Sequence, residues 1–318
     1  MKYLWRIWLL CCVLAGGASA QNAAVLWMRP WADVPHVWES KNKFGIQDRA
    51  DTRNNTSAGI FSWESGGRLK FDADETLPGL AVGYRVVALG VDSSLAAIDG
   101  TFWDVSAGLG VRWPAWANGW QFQTWLGGGT ANDGDFSNGD GWYGLAVADF
   151  SYRWGDDAQV NVGLSYDGNR LFLPDFPLPY VAYRRTLSDE LTAVLGLPVG
   201  GVVWRPADVW RFEVTYVLPT GIEARAGYRL TESWTVFVEY DSQAQAFAIE
   251  QLDNRRLFFS VRRVLGGVEW RTQRLRVSVG AGLAWDQEFE RGFDVRELRT
   301  VTKVEDVPTL LVQLDARF

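Results

Sequence analysis

From about residue 57 onward, the apolar residues of this 318-residue chain fall on every second position and never gather into a long run. Only a β-strand turns alternate side chains to opposite faces, so the pattern dictates sheet. Trp103, Val105, Ala107, Leu109, Val111 and Trp113 alternate with Asp104, Ser106, Gly108, Gly110 and Arg112. Leu275, Val277, Val279, Ala281, Leu283 and Trp285 alternate with Arg276, Ser278, Gly280, Gly282 and Ala284. Several such segments reach the roughly 9–11 residues that a tilted strand needs to cross a bilayer. No apolar stretch near the ~20 residues of a membrane helix follows Ala20.

The first twenty residues read separately. Lys2 and Arg6 precede a short apolar run, Ile7 to Leu14, and Ala18-Ser19-Ala20 offers a signal-peptidase site. We expect residues 1–20 to be a cleaved signal peptide, with a mature chain from Gln21. Lipidation at Cys12 is disfavoured, because Leu9, Leu10 and Cys11 before it are not the small residues that it needs. Both cysteines leave with the signal, which excludes disulfides and thiolate chemistry from the mature chain. Removing it takes two of the 31 basic residues and none of the 38 acidic ones, leaving a net charge of −9. Such a chain is no general nucleic-acid binder. It is 47% hydrophobic and carries 18 Trp and 33 Gly, yet its mean hydropathy is close to zero at −0.10. A wall with one face in lipid and the other in water has that composition.

A soluble sandwich also alternates, and three features separate the two. Trp113, Trp154, Trp204, Trp210, Tyr228, Trp234, Trp270 and Trp285 stand at predicted strand ends, where a membrane barrel places its aromatic girdles. Tyr152-Arg153-Trp154-Gly155-Asp156, Trp204-Arg205-Pro206-Ala207-Asp208 and Tyr228-Arg229-Leu230-Thr231-Glu232 repeat one tight-turn signature: aromatic, Arg, two residues, acid. Opposite these turns, Asp167–Pro177, Asp241–Asn254 and Gln287–Pro308 read as longer polar loops. Finally, Leu310, Val312, Leu314, Ala316 and Phe318 share one parity of the last strand, the pattern that barrel assembly machinery reads. Leu311 is the inward exception.

The fold expected is all-β: a transmembrane antiparallel up-and-down β-barrel over residues 57–318, of about 14 strands within a range of about 12–16. Residues 21–56, with Trp27, Trp31 and Trp38, read as an N-terminal leader, periplasmic or luminal. The turn signatures, the strand end Gly266-Gly267-Val268-Glu269-Trp270-Arg271 and the terminal Phe318 resemble an uncharacterised family of Gram-negative outer-membrane barrels, domain of unknown function 6268. The likeness is clearest over the last half of the chain. It implies fold and location and carries over no functional residues.

Chemistry is sparse. The single histidine, His36, lies in the leader, so no strand can bring a His beside a Ser or Asp. We expect no enzyme, cofactor or metal. Asp133, Asp135 and Ser137 have a calcium-loop spacing, but glycine falls at the seventh position and Gly144 stands where the closing Glu belongs, so a plain surface loop accounts for them better. If the apolar parity faces lipid, then Arg211, Glu213, Glu223, Arg225, Arg229, Glu239, Asp241, Arg274, Arg276, Asp315 and Arg317 face the lumen. The chain has 26 Arg and 5 Lys, and the planar guanidinium suits a crowded interior of paired charges. Three functions fit: a channel or transport-type barrel for small solutes, a plugged structural or surface-interaction barrel, and a secreted soluble β protein binding glycans through exposed Trp. The expected partners are outer-membrane lipid, the assembly machinery and small solutes. On this parity Val279→Arg is expected to impair assembly, and Ser278→Arg to be far milder.

Overall fold

The computed structural model describes residues 37–71, 78–116, 119–137, 139–155, 157–218, 221–249 and 255–318. The predicted signal peptide and His36 lie outside them.

Seventeen strands form one sheet. They are β1 (Trp38–Asp51), β2 (Ser57–Lys70), β3 (Gly79–Ser93), β4 (Gly100–Arg112), β5 (Trp120–Asn132), β6 (Trp142–Trp154), β7 (Ala158–Asp167), β8 (Leu178–Ser188) and β9 (Leu191–Leu197). Then follow β10 (Val199–Ala207), β11 (Trp210–Val217), β12 (Gly221–Arg229), β13 (Trp234–Ala248), β14 (Arg256–Arg271), β15 (Leu275–Gly292), β16 (Arg299–Val304) and β17 (Val307–Arg317). Each pairs antiparallel with its chain neighbour, except that β16 and β17 both pair with β15. Gln287 of β15 faces Val304, and Ala284 faces Val307, so β16 and β17 are two halves of one wall position interrupted at Glu305-Asp306.

The sheet closes on itself. β1 pairs with β2 on one side and with β17 on the other, Glu39 opposite Arg317 through Gln47 opposite Thr309. The result is a closed all-β antiparallel barrel of sixteen wall positions. Closure leaves no free first or last strand, the condition a barrel must meet to sit in lipid. The count exceeds the estimate of about 14 but stays within the range of about 12–16. Part of the shortfall is β1. Trp38–Asp51 is wall, so the leader reading fails over these residues. Trp38, Phe44 and Ile46 are the large apolar residues on the strand's outer parity, and the polar stretch between the first two leaves the pattern faint. Two flanking strand edges, far away in sequence, make this segment a strand.

The turns also fall into place by physics. The three aromatic-Arg signatures, a longer version at Tyr183–Asp189 and a degenerate one at Trp270–Arg274 all sit at the end of the barrel where β1 starts and β17 finishes. Gly155 in the β6–β7 turn adopts φ 68°, a left-handed conformation that glycine takes without strain. At the opposite end two of the expected long loops are shorter than predicted. β13 runs on to Ala248, and β15 to Gly292 with β16 beside it, because ladder hydrogen bonds hold polar sequence in a strand as well as apolar sequence.

Wall height is uneven. β9 to β12 have 7, 9, 8 and 9 residues, and β13 to β15 have 15, 16 and 18. β12 stops supporting β13 at Asp241, so Ser242–Ala248 rises without a strand on that side. This tall segment lies against the facing wall, with the Phe247 and Phe102 rings 5.5 Å apart, and it contacts β4 and β5. Its other face is covered too, by Leu171, Val295 and Leu298 packing on Ala244, Ala246 and Phe258. Arg256 ties it down by donating to the carbonyls of Asn169 (3.1 Å), Arg170 (3.0 Å) and Phe293 (2.7 Å). The β13–β14 hairpin is thus a cap folded over part of the barrel mouth.

Candidate functional site: an unevenly filled lumen

Parity sorts the wall into two environments. Leu109 and Leu126 point outward, 66% and 68% exposed, and Trp125 next to Leu126 points inward at 0%. Gly110 makes room for it, since a Cβ there would lie 2.5 Å from the indole. Exposed apolar side chains recur around the outside, among them Phe44, Phe61, Leu80, Leu164, Val181, Leu195, Val202, Val214, Val238, Val268, Val279 and Leu310. Trp113, Trp154, Trp204, Trp210, Tyr228, Trp234 and Phe318 ring the turn end. Trp270 is half-buried there. Trp285 lies within β15 rather than at its end, because that strand is longer than expected.

Inside, two regions of charge and one of apolar packing fill the seam side of the barrel. Arg225 donates to Glu239 (3.2 Å) and Glu269 (2.7 Å), and stacks over Phe237. Arg276 reaches Glu269 at 3.3 Å and Asp315 at 3.4 Å. Asp241 takes Lys43 at 2.9 Å and Arg263 at 2.6 Å. This lattice crosses β1, β12, β13, β14, β15 and β17, and so straps the closing seam. Strands β2 to β4 hold a second group, Arg85 with Asp104 (2.5 Å) and Glu64 (3.6 Å), with Tyr143 donating to Asp104. Above both lies a core of Ile60, Leu89, Val91, Phe102, Phe247, Leu257, Phe259 and Phe289. Buried pairs of this kind add little net stability while intact, but each becomes costly once one partner is lost.

The other side is open. The inner-face residues Arg184 and Thr215 are exposed, and Thr192, Val194, Val203, Arg211 and Glu213 are partly exposed. A 400 Å³ cavity runs along this face between Gln159 and Thr215, touching Asn161, Tyr180, Thr192 and Val203. Beneath it a 220 Å³ cavity includes Arg205, Arg211, Arg225, Arg229, Arg271 and Arg276, with Asp208, Glu213 and Glu269. A 150 Å³ cavity continues to the end bearing the turns and shares Arg211, Arg271 and Arg276. It adds Arg274, Arg317 and Asp315. The first two cavities share no lining residue but lie on successive inward positions of the same strands, Val203 then Arg205 on β10, and Thr215 then Glu213 on β11.

The residues read from sequence as lumen-lining separate into three groups. Arg225, Glu239, Arg276 and Asp315 meet in the lattice. Arg211 pairs with Glu213 beside the open column, and half-buried Glu223 stands in register with Asp241. Arg229, Arg274 and Arg317 are exposed at the cavity mouth, outside the lattice. Of the terminal-strand set, Leu310, Leu314 and Phe318 are exposed and Val312 is half-buried. The small Ala316 is buried under its neighbours, and Leu311 is buried on the opposite parity. The sequence reading missed Arg85, Asp104 and Asp149, although the same parity rule applied to β3, β4 and β6 would have marked all three. Asp149 is fully buried and accepts from Tyr180 (2.6 Å), Gln123 (3.1 Å) and Asn161 (3.2 Å). In the acidic loop, Asp135 accepts from the Ser137 amide (2.8 Å) and hydroxyl (2.6 Å). No group of three His, Cys, Asp or Glu that could hold a metal occurs among the described residues.

No family model and no curated protein matches the chain, so the family resemblance rests on the turn motifs, the Gly266–Arg271 strand end and the terminal phenylalanine. Solved structures with a similar chain trace include the toluene transporter TodX of Pseudomonas putida, at 10% identity and a TM-score of 0.38, covering 96% of this chain and 95% of that one. OccK7 of Pseudomonas aeruginosa matches at 12% identity and a TM-score of 0.37, over 90% of this chain and 99% of its own. An outer membrane channel from Pseudomonas putida F1 matches at 8% identity and 0.36, over 89% and 96%. At such identities and scores the likeness adds nothing to the fold read from the pairing pattern itself.

Proposed function

We propose that this chain is a non-enzymatic outer-membrane channel for small solutes, exported by a signal peptide over residues 1–20, with a conducting path that runs off-centre. The single observation that carries this reading is the uneven lumen. One side is filled by the ion-pair lattice and the apolar core, and the other holds a series of cavities that starts along the inner faces of β7 to β11 and ends beside the lattice residues Arg225, Glu269, Arg276 and Asp315. The path's outer end lies above the low wall of β9 to β12, beside the cap rather than through it. Lipid around the barrel accounts for the outer apolar belt, since soluble proteins rarely leave apolar patches beyond a few hundred Å² uncovered. That belt weighs against a secreted glycan binder. The parity of Leu310, Val312, Leu314, Ala316 and Phe318 supports reading the last strand as the signal for barrel assembly machinery.

The cap and the lattice favour the second reading, a plugged structural barrel. Planar-bilayer conductance separates the two. Protein whose SDS-gel band shifts on boiling should give discrete current steps. A band that shifts with no current would leave the plugged barrel standing and overturn the channel.

A further inference from the structure

The column changes character at the end where β1 starts and β17 finishes. Its last two cavities are bordered by eight arginines and four carboxylates, although the chain as a whole has 38 acids and 31 bases. Those carboxylates are largely engaged. Glu269 serves Arg225, Arg271 and Arg276, Glu213 holds Arg211, and Asp315 takes Arg276. Arg205, Arg229, Arg274 and Arg317 have no carboxylate partner among the described residues. Arg274 lies over the Phe318 ring at 5.7 Å, at the rim of the mouth. Asp208 also borders the upper of the two cavities, so the mouth keeps an excess of guanidinium over carboxylate, eight against four, between low-dielectric walls.

We infer that this mouth is a vestibule that binds small oxyanion-bearing solutes, carboxylates or phosphates, and makes the channel prefer anions. Guanidinium presents paired N–H donors that match two oxygens of a carboxylate or phosphate at once. A cleft lined by one sign of charge concentrates the opposite ion, and charged linings of a pore set which sign passes. The engaged carboxylates keep Arg211, Arg225, Arg271 and Arg276 in place, and the four unpaired arginines supply the binding charge. This inference rests on the channel reading for its transport consequence, but the binding site stands on the geometry of the mouth.

Two measurements test it apart from that reading. In a bilayer under a potassium chloride gradient, the reversal potential should show chloride preferred over potassium. The fourfold variant Arg205→Gln, Arg229→Gln, Arg274→Gln, Arg317→Gln should lose that preference while keeping the boiling shift. Isothermal titration of the detergent-held barrel with inorganic pyrophosphate should show binding that weakens with added salt. In the fourfold variant the affinity should drop about tenfold, four exposed charge contacts each contributing modestly. Cation-selective or unselective current, or no pyrophosphate binding, would overturn the vestibule and leave a channel intact. Absence of current from a folded barrel would overturn the channel, and the titration would still decide the site. Displacement of pyrophosphate by phosphatidylglycerol would assign the arginines to lipid headgroups and overturn the solute reading.

Discussion

Val279 and Ser278 are adjacent residues on opposite faces of β15, and the barrel gives each its own reason to resist change. Val279 is 41% exposed on the apolar belt, so Val279→Arg should cost about 2–4 kcal/mol in lipid and cut the yield of folded barrel. Ser278 is buried, with its hydroxyl 3.3 Å from Arg225 and 3.5 Å from Glu269. The parity assignment holds, but the expectation of a mild Ser278→Arg does not, because a third guanidinium would be forced among Arg225 and Arg276. The inner position that should tolerate arginine is Thr215, exposed beside the 400 Å³ cavity. Refolding yields in detergent should therefore rank Thr215→Arg near wild type and Ser278→Arg well below it. Equal yields would mean that the lumen is uniformly open. Alternation alone made the direction of these side chains legible. It said nothing of filling, which depends on what the facing wall supplies.

At the scale of the element, β17 decides closure. Trp38 and Phe318 exchange backbone hydrogen bonds of 2.9 and 2.8 Å, and their rings stack at 5.4 Å. Deleting Phe318 removes both bonds and the stack at the seam, so the boiling-sensitive band should fall sharply, whereas Phe318→Tyr should assemble normally. A full band from the deletion would show that the seam closes without its last rung. The cap's far support, residues 293–298, depends on Asp294. Burial alone would raise its carboxyl, but the Arg296 guanidinium and the amides of Arg296 and Leu173 outweigh burial and hold it below the ordinary value of 3.8. A depressed carboxyl lends stability that is present above its ordinary value and lost as the pH falls through the lowered one. Amide protection at residues 293–298 should thus fall at strongly acid pH and be low at neutral pH in Asp294→Asn. Protection unchanged in that variant would show that the pair does not hold the loop.

For the whole molecule, sixteen wall positions do not enclose one uniform pore, because β13 reaches across to β4. Packing on one side and cavities on the other let a barrel of this size combine a strapped seam with an incompletely filled interior. The same asymmetry explains why the short β9 to β12 survive. They flank the cavities, and the apolar core draws no residue from them. Replacing the cap anchor Arg256 would leave the carbonyls of Asn169, Arg170 and Phe293 without their shared donor.

Period-two alternation, the repeated aromatic-Arg turns and the apolar parity ending at Phe318 were enough by themselves to determine an antiparallel barrel and the direction of its side chains. A strand declares its two faces locally, every second residue, and a turn declares itself within five. Other properties arise only between strands distant in sequence. Trp38–Asp51 becomes wall because β2 and β17 offer it two edges. Arg225, Glu269 and Arg276 become a lattice because closure puts acids within reach of both arginines, whereas Arg229, Arg274 and Arg317 lie at the cavity mouth outside it. Local sequence sets which way a residue points, and only the closed barrel sets what it meets there.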